Sequence, residues 1–410
     1  MTAPVPGPGS TIGANLSMLR AWRRTTLRAL AGLAGISYSY LGELERGEKI
    51  PTTAIIDALA DALGVQPDLI TGSPTTNSAV SAGARLALDV TRAMLEDYDL
   101  GDPPSVIPRP WPKLASDLDQ LNTALRADYI GQAQVLARLV PELLAVYYLG
   151  HEHARDALVG LMYSYYAASC VSKNLGGVDG WPQLAAQRAR IVAGELADPA
   201  WMAYAEYVRA YATGQASRAR QYDRVNQALT TLYRDTRLAD EAAVQVAGML
   251  HLSAAGAAVA LRRADDALTH ITHAKDLSAR VPEVGPGLGH LYFTSHNVGI
   301  WEVGLQVDLG AAGKVAELAR PVHPETIPAA DRAAVYWMDL GRGLAAEKTT
   351  QEQAVNALWK AYQTAPQLVP AKPLVRDTVR YLMPRVGVKH TEIANRLRYL
   401  GHQLGLAPSG

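Results

Sequence analysis

Apolar residues recur along this chain at helical spacing, and the alternation typical of strands is rare. Near the N-terminus, Ile12, Leu16 and Leu19 lie three or four positions apart, which places them on one face of a helix. Four more apolar stripes follow: Leu27, Leu30, Ala31 and Ala34; Tyr40, Leu41 and Leu44; Ile55, Leu59 and Leu63; and Leu69 with Ile70. The pattern predicts an all-α fold that begins with a five-helix unit over residues 10–71.

Polar and proline-rich stretches predict the domain boundaries. Residues 1–9 are rich in proline and glycine and offer little to pack, so we expect a disordered tail. Residues 72–112 hold two such stretches around one helical segment, which predicts a linker with one helix that can belong to either neighbour. In residues 113–410 one helical segment follows another between turn signals, and we expect a second domain there.

Small residues at regular intervals predict repeated helix pairs in this second domain. Ala354, Ala361 and Pro366 have the spacing of the second helix of a tetratricopeptide unit. Ala267 and Ala274 repeat part of that spacing. A helix pair of this kind buries its apolar face only against its neighbours, so several pairs in tandem form a solenoid. We therefore expect a tetratricopeptide-like helical solenoid.

The most informative motif is a helix-turn-helix in residues 30–47. Gly35 can end the first helix, because a glycine adopts the left-handed conformation at little cost. Ser37 is a favourable N-cap for the second helix. Ala31 and Gly35 are small residues at the point where two crossing helices touch, which completes the pattern.

This motif resembles the Cro and phage-repressor family, often called XRE. The matching positions are Leu30, Ala31, Ala34, Gly35, Ser37, Ser39, Tyr40, Leu41, Glu45 and Gly47. The resemblance runs from about Ile12 to Ile70, through Pro51 and a closing helix at 55–65. It implies a lambda-repressor-like DNA-binding domain and a bacterial, sequence-specific transcriptional regulator.

The resemblance also assigns candidate DNA contacts. The residues it places on the groove-facing side of the recognition helix are Ser37, Tyr38, Ser39, Gly42 and Glu43, and those it places against phosphates are Thr26, Arg28, Arg46 and Lys49. Tyr38 and Ser39 are the best candidates for base reading, since a tyrosine ring can contact a thymine methyl and a hydroxyl can donate or accept. Glu43 either accepts from a cytosine amino group or lies solvated at the rim. Arg20 and Glu45 match an ion pair that holds the fold together.

The charge balance predicts weak DNA binding by one copy of the chain. Basic and acidic residues number 39 each, and residues 10–64 contain six basic and five acidic side chains. Leu27 stands where the family usually has a glutamine that contacts the DNA backbone. We therefore expect a homodimer, formed through the second domain, that binds two half-sites of double-stranded operator DNA about 34–36 Å apart.

Residues 283–301 combine four glycines with aromatic and polar side chains. The ligand-binding candidates in this segment are His290, Tyr292, His296, Asn297 and Trp301. If they converge on a concave face, they form a groove for a small-molecule or peptide effector. The domain plan is similar to that of the RRNPP quorum-sensing regulators, in which groove asparagines hold a peptide. The alternative is a long loop between repeats whose polar groups are satisfied within the fold.

Other classes of function lack support in the sequence. Cys170 is the single cysteine and is expected in the core. His270, His273 and Asp276 could ligate a metal ion, but the sequence fixes no further partner for such a site, so we expect no metal and no cofactor. Phosphate-binding loops and catalytic triad motifs do not occur, so no catalytic residue is assigned and an enzyme is not expected. The start of the chain lacks the pattern of a secretory signal, and the apolar runs fall short of the ~20 residues that cross a bilayer. A cytoplasmic protein with no membrane partner is expected.

Two main functions follow from the sequence. The first is a dimeric, DNA-binding transcriptional regulator modulated by a ligand or partner on its helical-repeat domain. The second is a helical-repeat scaffold for protein interactions, with a weak or vestigial DNA-binding head. A third reading is a phage-type repressor that acts without an effector. Selective binding to one DNA sequence separates the first from the second.

Overall fold

The computed structural model describes residues 11–65, 67–72, 82–150, 152–176, 180–214, 217–283, 285–386 and 391–406. The predicted tail, residues 1–9, and the polar stretch 73–81 lie outside these ranges. Across the described residues the regular structure is helical, with no strand, which confirms the all-α class. A five-helix head comes first and a long helical array follows, in the predicted order.

The head consists of five short helices, four of which begin at a hydroxyl-bearing residue. They are α1 (Ile12–Trp22), α2 (Leu27–Ala34), α3 (Tyr38–Glu45), α4 (Thr53–Leu63) and α5 (Pro67–Thr71). The N-cap residues of α1 to α4 are Thr11, Thr26, Ser37 and Thr52, and each side-chain oxygen accepts from a backbone N–H three residues on. Such caps satisfy donors that have no partner inside the helix, so these residues fix where each helix starts.

The core of the head is made by the apolar stripes of the sequence. Leu16, Leu19 and Leu59 are fully buried, and a single cluster joins α1 to α5. Gly13 lies where α1 crosses α3, and a Cβ there would collide with the carbonyl oxygen of Leu44. The glycine therefore sets how closely the first helix approaches the third.

The helices after the head, residues 82–406, form what we call the solenoid. They are α6 (Ala82–Asp97), α7 (Trp111–Asn122), α8 (Tyr129–Tyr148), α9 (Ala154–Asn174), α10 (Trp181–Leu196), α11 (Pro199–Ala212), α12 (Arg218–Thr236), α13 (Glu241–Ala260), α14 (Ala264–Ser278), α15 (Ser295–Asp308), α16 (Ala312–Ala319), α17 (Ala330–Leu344), α18 (Gln351–Thr364), α19 (Pro373–Val386) and α20 (Glu392–Gln403). Consecutive helices pack on one another, most extensively α13 on α14, α9 on α10 and α17 on α18.

Small residues allow these helices to approach closely. Ala354 and Ala361 on α18, and Ala267 and Ala274 on α14, have no exposed surface. On α17, a Cβ at Gly341 would collide with the side chain of Leu358. The alanine spacing in the sequence therefore marks helix contacts; a large apolar cluster runs through the solenoid, and a smaller one joins α13, α14 and α15.

The helix within the predicted linker, α6, packs on later helices of the solenoid. Helix α6 contacts α8, α9 and α10, and Arg188 on α10 donates to the Asp99 carboxylate just after α6, at 2.6 Å. Further along the linker, Arg109 donates to both carboxylate oxygens of Glu142, at 2.8 and 2.6 Å, and to Asp117. Partly buried ion pairs thus anchor the proline-rich stretch before α7.

Helix α13 is the central helix of the solenoid. By length and composition it could cross a membrane, which the sequence reading did not anticipate, but 89% of its apolar window is buried inside the protein. The helices that surround it supply that burial. Its apolar character is therefore that of a core helix.

The head rests on the solenoid through α4, the α2–α3 turn and the start of α1. Arg262, in the turn after α13, donates to the carbonyls of Ala34 at 2.7 Å and Gly35 at 3.4 Å. Thr53 donates to the Asp308 carboxylate on α15 at 3.2 Å. These contacts leave the N-terminal end of α3 uncovered.

Candidate DNA interface and adjoining cavity

The helix-turn-helix has the geometry that its residues predict. Gly35 follows α2 with a φ of 63°, in the left-handed region, and its N–H bonds back to the end of α2. Two residues later the Ser37 hydroxyl accepts from the Tyr40 N–H at 3.1 Å and starts α3. This short turn holds α3, the candidate recognition helix, across α2.

The N-terminal end of α3 faces solvent. Ser37, Tyr38 and Ser39 are all exposed, with Tyr38 showing 55% of its surface. Glu43, one turn further on, is half-buried. An exposed helix end with a ring and two hydroxyls matches the part of a recognition helix that meets base edges.

The predicted phosphate contacts surround this end and are also exposed. Thr26, Arg28, Arg46 and Lys49 all lie on the surface. The guanidinium of Arg28 lies 5.9 Å from the centre of the Tyr38 ring, which brings a cation beside the candidate base reader. The structure therefore places the residues predicted to contact phosphates and those predicted to contact bases on one face of the head.

The charge of Arg46 is already engaged. Its Nε and Nη2 donate to the two carboxylate oxygens of Glu48 at 2.7 and 2.8 Å, and this pair raises the pKa of Arg46 and lowers that of Glu48. Both side chains are exposed. A phosphate that approaches Arg46 has to compete with Glu48, which the sequence reading did not identify.

Gly42 has a packing position rather than an exposed one. It is buried, and a Cβ there would lie 3.1 Å from Nη1 of Arg46 and 3.6 Å from Cδ2 of Leu27. The residue therefore makes room for Leu27, the position where the sequence departs from the family pattern. Its small size serves the contact of α2 with α3.

Arg23 caps the far end of the head, a role that the sequence did not reveal. Its Nε donates to the Leu63 carbonyl at 2.5 Å and its Nη2 to the Gly64 carbonyl at 2.9 Å. These carbonyls end α4 and have no partner within the helix. An arginine so distant in sequence gives no local signal, so only the fold reveals the cap.

The ligand-binding candidates do not share one surface. Tyr292 and Asn297 are buried, and the Asn297 amide donates to the carbonyls of Leu291 and Tyr292 at 3.1 and 3.0 Å. His290 packs edge-on against Tyr163, and burial, reinforced by Arg126, lowers the pKa of His290 to about 4.

The other two candidates lie apart from these. His296 accepts from the His323 backbone N–H at 3.3 Å. Trp301 lines a cavity of about 350 Å³ at the junction of head and solenoid. Of the five candidates, Trp301 is the one that reaches this cavity within the described residues.

The histidines and the cysteine that the sequence singled out pack against neighbouring side chains of the protein. Nδ1 of His251 lies 2.8 Å from Nδ1 of His270, and the His251 ring also packs on His273. Within the described residues no group of three metal-ligating side chains has the geometry to hold an ion. Burial raises the pKa of the Cys170 thiol to about 11, so at neutral pH the thiol carries its proton.

Known proteins resemble the head. Residues 11–71 match a family model described as a helix-turn-helix domain. Over 65 residues the chain is 37% identical to the immunity repressor protein of Bacillus phage phi105, covering 16% of this chain and 45% of the repressor. Over 53 residues it is 43% identical to the uncharacterized HTH-type transcriptional regulator YazB of Bacillus subtilis strain 168, covering 12% of this chain and 77% of YazB. The chain thus spans less than half the length of the phage repressor.

A solved structure also shows similarity. It is the crystal structure of Bacillus thuringiensis PlcR in complex with the peptide PapR7 and DNA. The identity is 12% and the TM-score 0.25, with 66% of this chain and 95% of that chain covered.

Proposed function

We propose that this protein binds a double-stranded operator and regulates transcription in the bacterial cytoplasm. The proposal follows from its family, because the chain belongs to the helix-turn-helix transcriptional regulators. The observation that carries the proposal is the exposure of Ser37, Tyr38 and Ser39 at the start of α3. A recognition helix reads base edges with that end, and here the head docks on the solenoid through other surfaces.

The protein acts as a homodimer with a tetratricopeptide-like sensor and dimerisation domain. The near balance of charge in the head and the engagement of Arg46 by Glu48 both favour weak binding by one copy. Two linked heads on two half-sites gain affinity through effective concentration without any new contact. A small-molecule or peptide effector on the solenoid changes operator affinity by favouring one arrangement of the heads.

Selection of bound sequences from a random duplex library, with the full chain, tests this function. We expect one enriched motif with two half-sites related by symmetry. Replacing Tyr38 and Ser39 with alanine should reduce discrimination between bases by about thirtyfold or more, since each of the two lost base contacts costs roughly 1–3 kcal/mol. Arg46→Ala, the contrasting variant, should weaken binding to every sequence alike. Equal, feeble binding to all duplexes would instead favour the interaction scaffold.

A further inference from the structure

The cavity of about 350 Å³ lies where the head rests on the solenoid. Thr53 of the head lines one side, and α9, α11, α12, α13, α15 and α17 supply the other walls. The volume falls within the range of small-molecule sites. An occupant of this cavity touches both parts of the protein.

Cations act on one end of this cavity. Lys173 lines it with part of its side chain exposed, and desolvation of its ammonium, together with the charges of Arg218 and Lys372, lowers the pKa of Lys173 to about 7. The Lys173 ammonium donates to the Tyr211 carbonyl at 2.5 Å and lies over the Tyr211 ring, 4.3 Å from its centre. Because Lys173 and Arg218 line the same cavity, a negative charge placed between them is stabilised.

The carboxylates of the cavity are already neutralised. Arg342 donates from Nη2 to Asp308 at 2.7 Å and from Nη1 to Asp339 at 2.8 Å. Arg332, a further cation in the wall, lies 5.2 Å from the centre of the Trp301 ring. Both carboxylates thus bond to Arg342, although Asp308 also attracts the Arg218 guanidinium and acts to raise its pKa.

Two hydrogen-bond donors of the lining have no acceptor within the described residues. They are Nε of Arg218 and Nε1 of Trp301, and both atoms are buried. Buried polar atoms of native proteins almost always have a partner. An acceptor oxygen that reached either N–H group, after a small shift of the lining, would supply the missing partner.

We propose that this cavity binds a small amphipathic ligand with a carboxylate group. The carboxylate lies between Lys173 and Arg218, and the apolar part packs on Tyr207, Tyr211 and Trp301. Charge-assisted hydrogen bonds to a carboxylate are stronger than neutral ones, which makes the negative group the source of selectivity. The inference rests on the proposed function, in which this ligand is the effector.

The ligand also affects how the head is held. Asp57, buried on α4 of the head, attracts the Arg218 guanidinium and acts to raise its pKa, against the lowering by burial. A ligand carboxylate competes for the same guanidinium and repels Asp57. Binding therefore loosens the head from the solenoid, and the operator affinity changes with it.

Calorimetric titration of the full chain tests the site. The probes are butanoate to decanoate, 4-phenylbutyrate and indole-3-propionate, each compared with its neutral amide, and pentapeptides with free or amidated C-termini. We expect at least one carboxylate to bind about tenfold or more tighter than its amide. Binding of the free acids identifies a small organic acid, and binding of the free-ended peptides alone identifies a peptide C-terminus. If no carboxylate binds more tightly than its amide, the proposal is overturned.

Variants locate the binding and check the fold. Lys173→Met should weaken the carboxylate about tenfold, Lys173→Arg should restore it, and Lys314→Met, on the exposed surface of α16, should have no effect. Equal affinity in Lys173→Met and the unmodified chain would overturn the assigned position. Carboxylate binding without selective DNA binding contradicts the regulator function alone, and selective DNA binding without carboxylate binding contradicts this inference alone.

Discussion

Arg20 donates to Glu45 twice, from Nε to Oε1 at 2.6 Å and from Nη2 to Oε2 at 2.8 Å. The pair joins the first helix of the head to the last residue of α3 and is partly buried, with 10% of the Glu45 side chain exposed. The bonded carboxylate raises the pKa of Arg20, with desolvation acting in the opposite sense. The ion pair therefore ties the C-terminal end of α3, the helix that carries Tyr38, to α1.

Glu45→Gln should destabilise the head by about 2 kcal/mol, because it leaves a partly buried guanidinium without its charged partner. Hydrogen exchange of head amides in the full chain measures the change. Glu48→Gln makes the same substitution at an exposed position and should leave head protection unaltered. Equal protection in both variants would show that the ion pair does not hold α3.

Glu48→Gln should strengthen DNA binding, because it releases Arg46 to contact a phosphate. We expect higher affinity for all duplexes and a salt dependence steeper by about one released counterion. Filter binding at several salt concentrations measures both quantities. Glu317→Gln, on the exposed surface of α16, makes the same change of net charge far from α3 and serves as the control. If both variants bind alike, Arg46 does not contact DNA.

The head could be predicted in detail because its signals are local. Thr26 and Ser37 are N-caps, and Gly35 has the left-handed φ that its place after α2 demands. Each of these roles depends on a residue and its neighbours within one turn, so the sequence carries it directly. The all-α class and the order of head and helical array were predicted for the same reason.

The sequence could not reveal contacts between distant residues. Arg262 lies more than 200 residues from Ala34, and its hydrogen bond to that carbonyl depends on how two compact parts pack. Trp301 was predicted as a ligand residue, but its cavity also needs Lys173 and Arg218, which lie on other helices. Asn297 has the residue type of a ligand clamp, yet its amide is satisfied by carbonyls of its own loop.

Gly248→Ala should destabilise the solenoid by about 2 kcal/mol. The chain contains one phenylalanine, Phe293, and its ring packs where a Cβ on Gly248 would lie, so the larger residue forces the core apart. Gly313→Ala is the matched control, because nothing lies near its Cβ position and alanine favours the helix. Urea unfolding of both variants measures the difference. An unaltered midpoint for Gly248→Ala would show that the Phe293 ring can move away from α13 at no cost.

Carboxylate binding to the cavity should weaken as the pH rises from 6 to 8. The pKa of Lys173 is about 7, so its charged form predominates at pH 6 and is the minor form at pH 8. If the ligand binds the charged form, affinity falls about tenfold over this interval and binding takes up a proton. Titration in buffers of different ionisation enthalpy measures that uptake. Lys173→Arg, whose guanidinium stays charged, should bind with little dependence on pH.

Acid should destabilise the contact between α13 and α14. His251 is buried, and burial together with the neighbouring His270 and His273 lowers its pKa to about 3, whereas an unfolded chain protonates histidine near 6.5. Between these values the unfolded state binds a proton that the folded state does not, so stability falls as the pH decreases, by about 1.4 kcal/mol per pH unit from this group.

Unfolding free energies at pH 7.5 and 5.5 test this expectation with His251→Gln. The variant lacks the titrating ring and should lose about 1.4 kcal/mol less than the unmodified chain over that interval. The variant is also less stable at pH 7.5, because it loses the contact with the Tyr233 hydroxyl at 3.1 Å. This loss does not affect the result, because the change between the two pH values is measured within each chain. If both chains lose the same unfolding free energy between pH 7.5 and 5.5, His251 takes up its proton in the folded protein as well. Water would then reach the ring between α13 and α14.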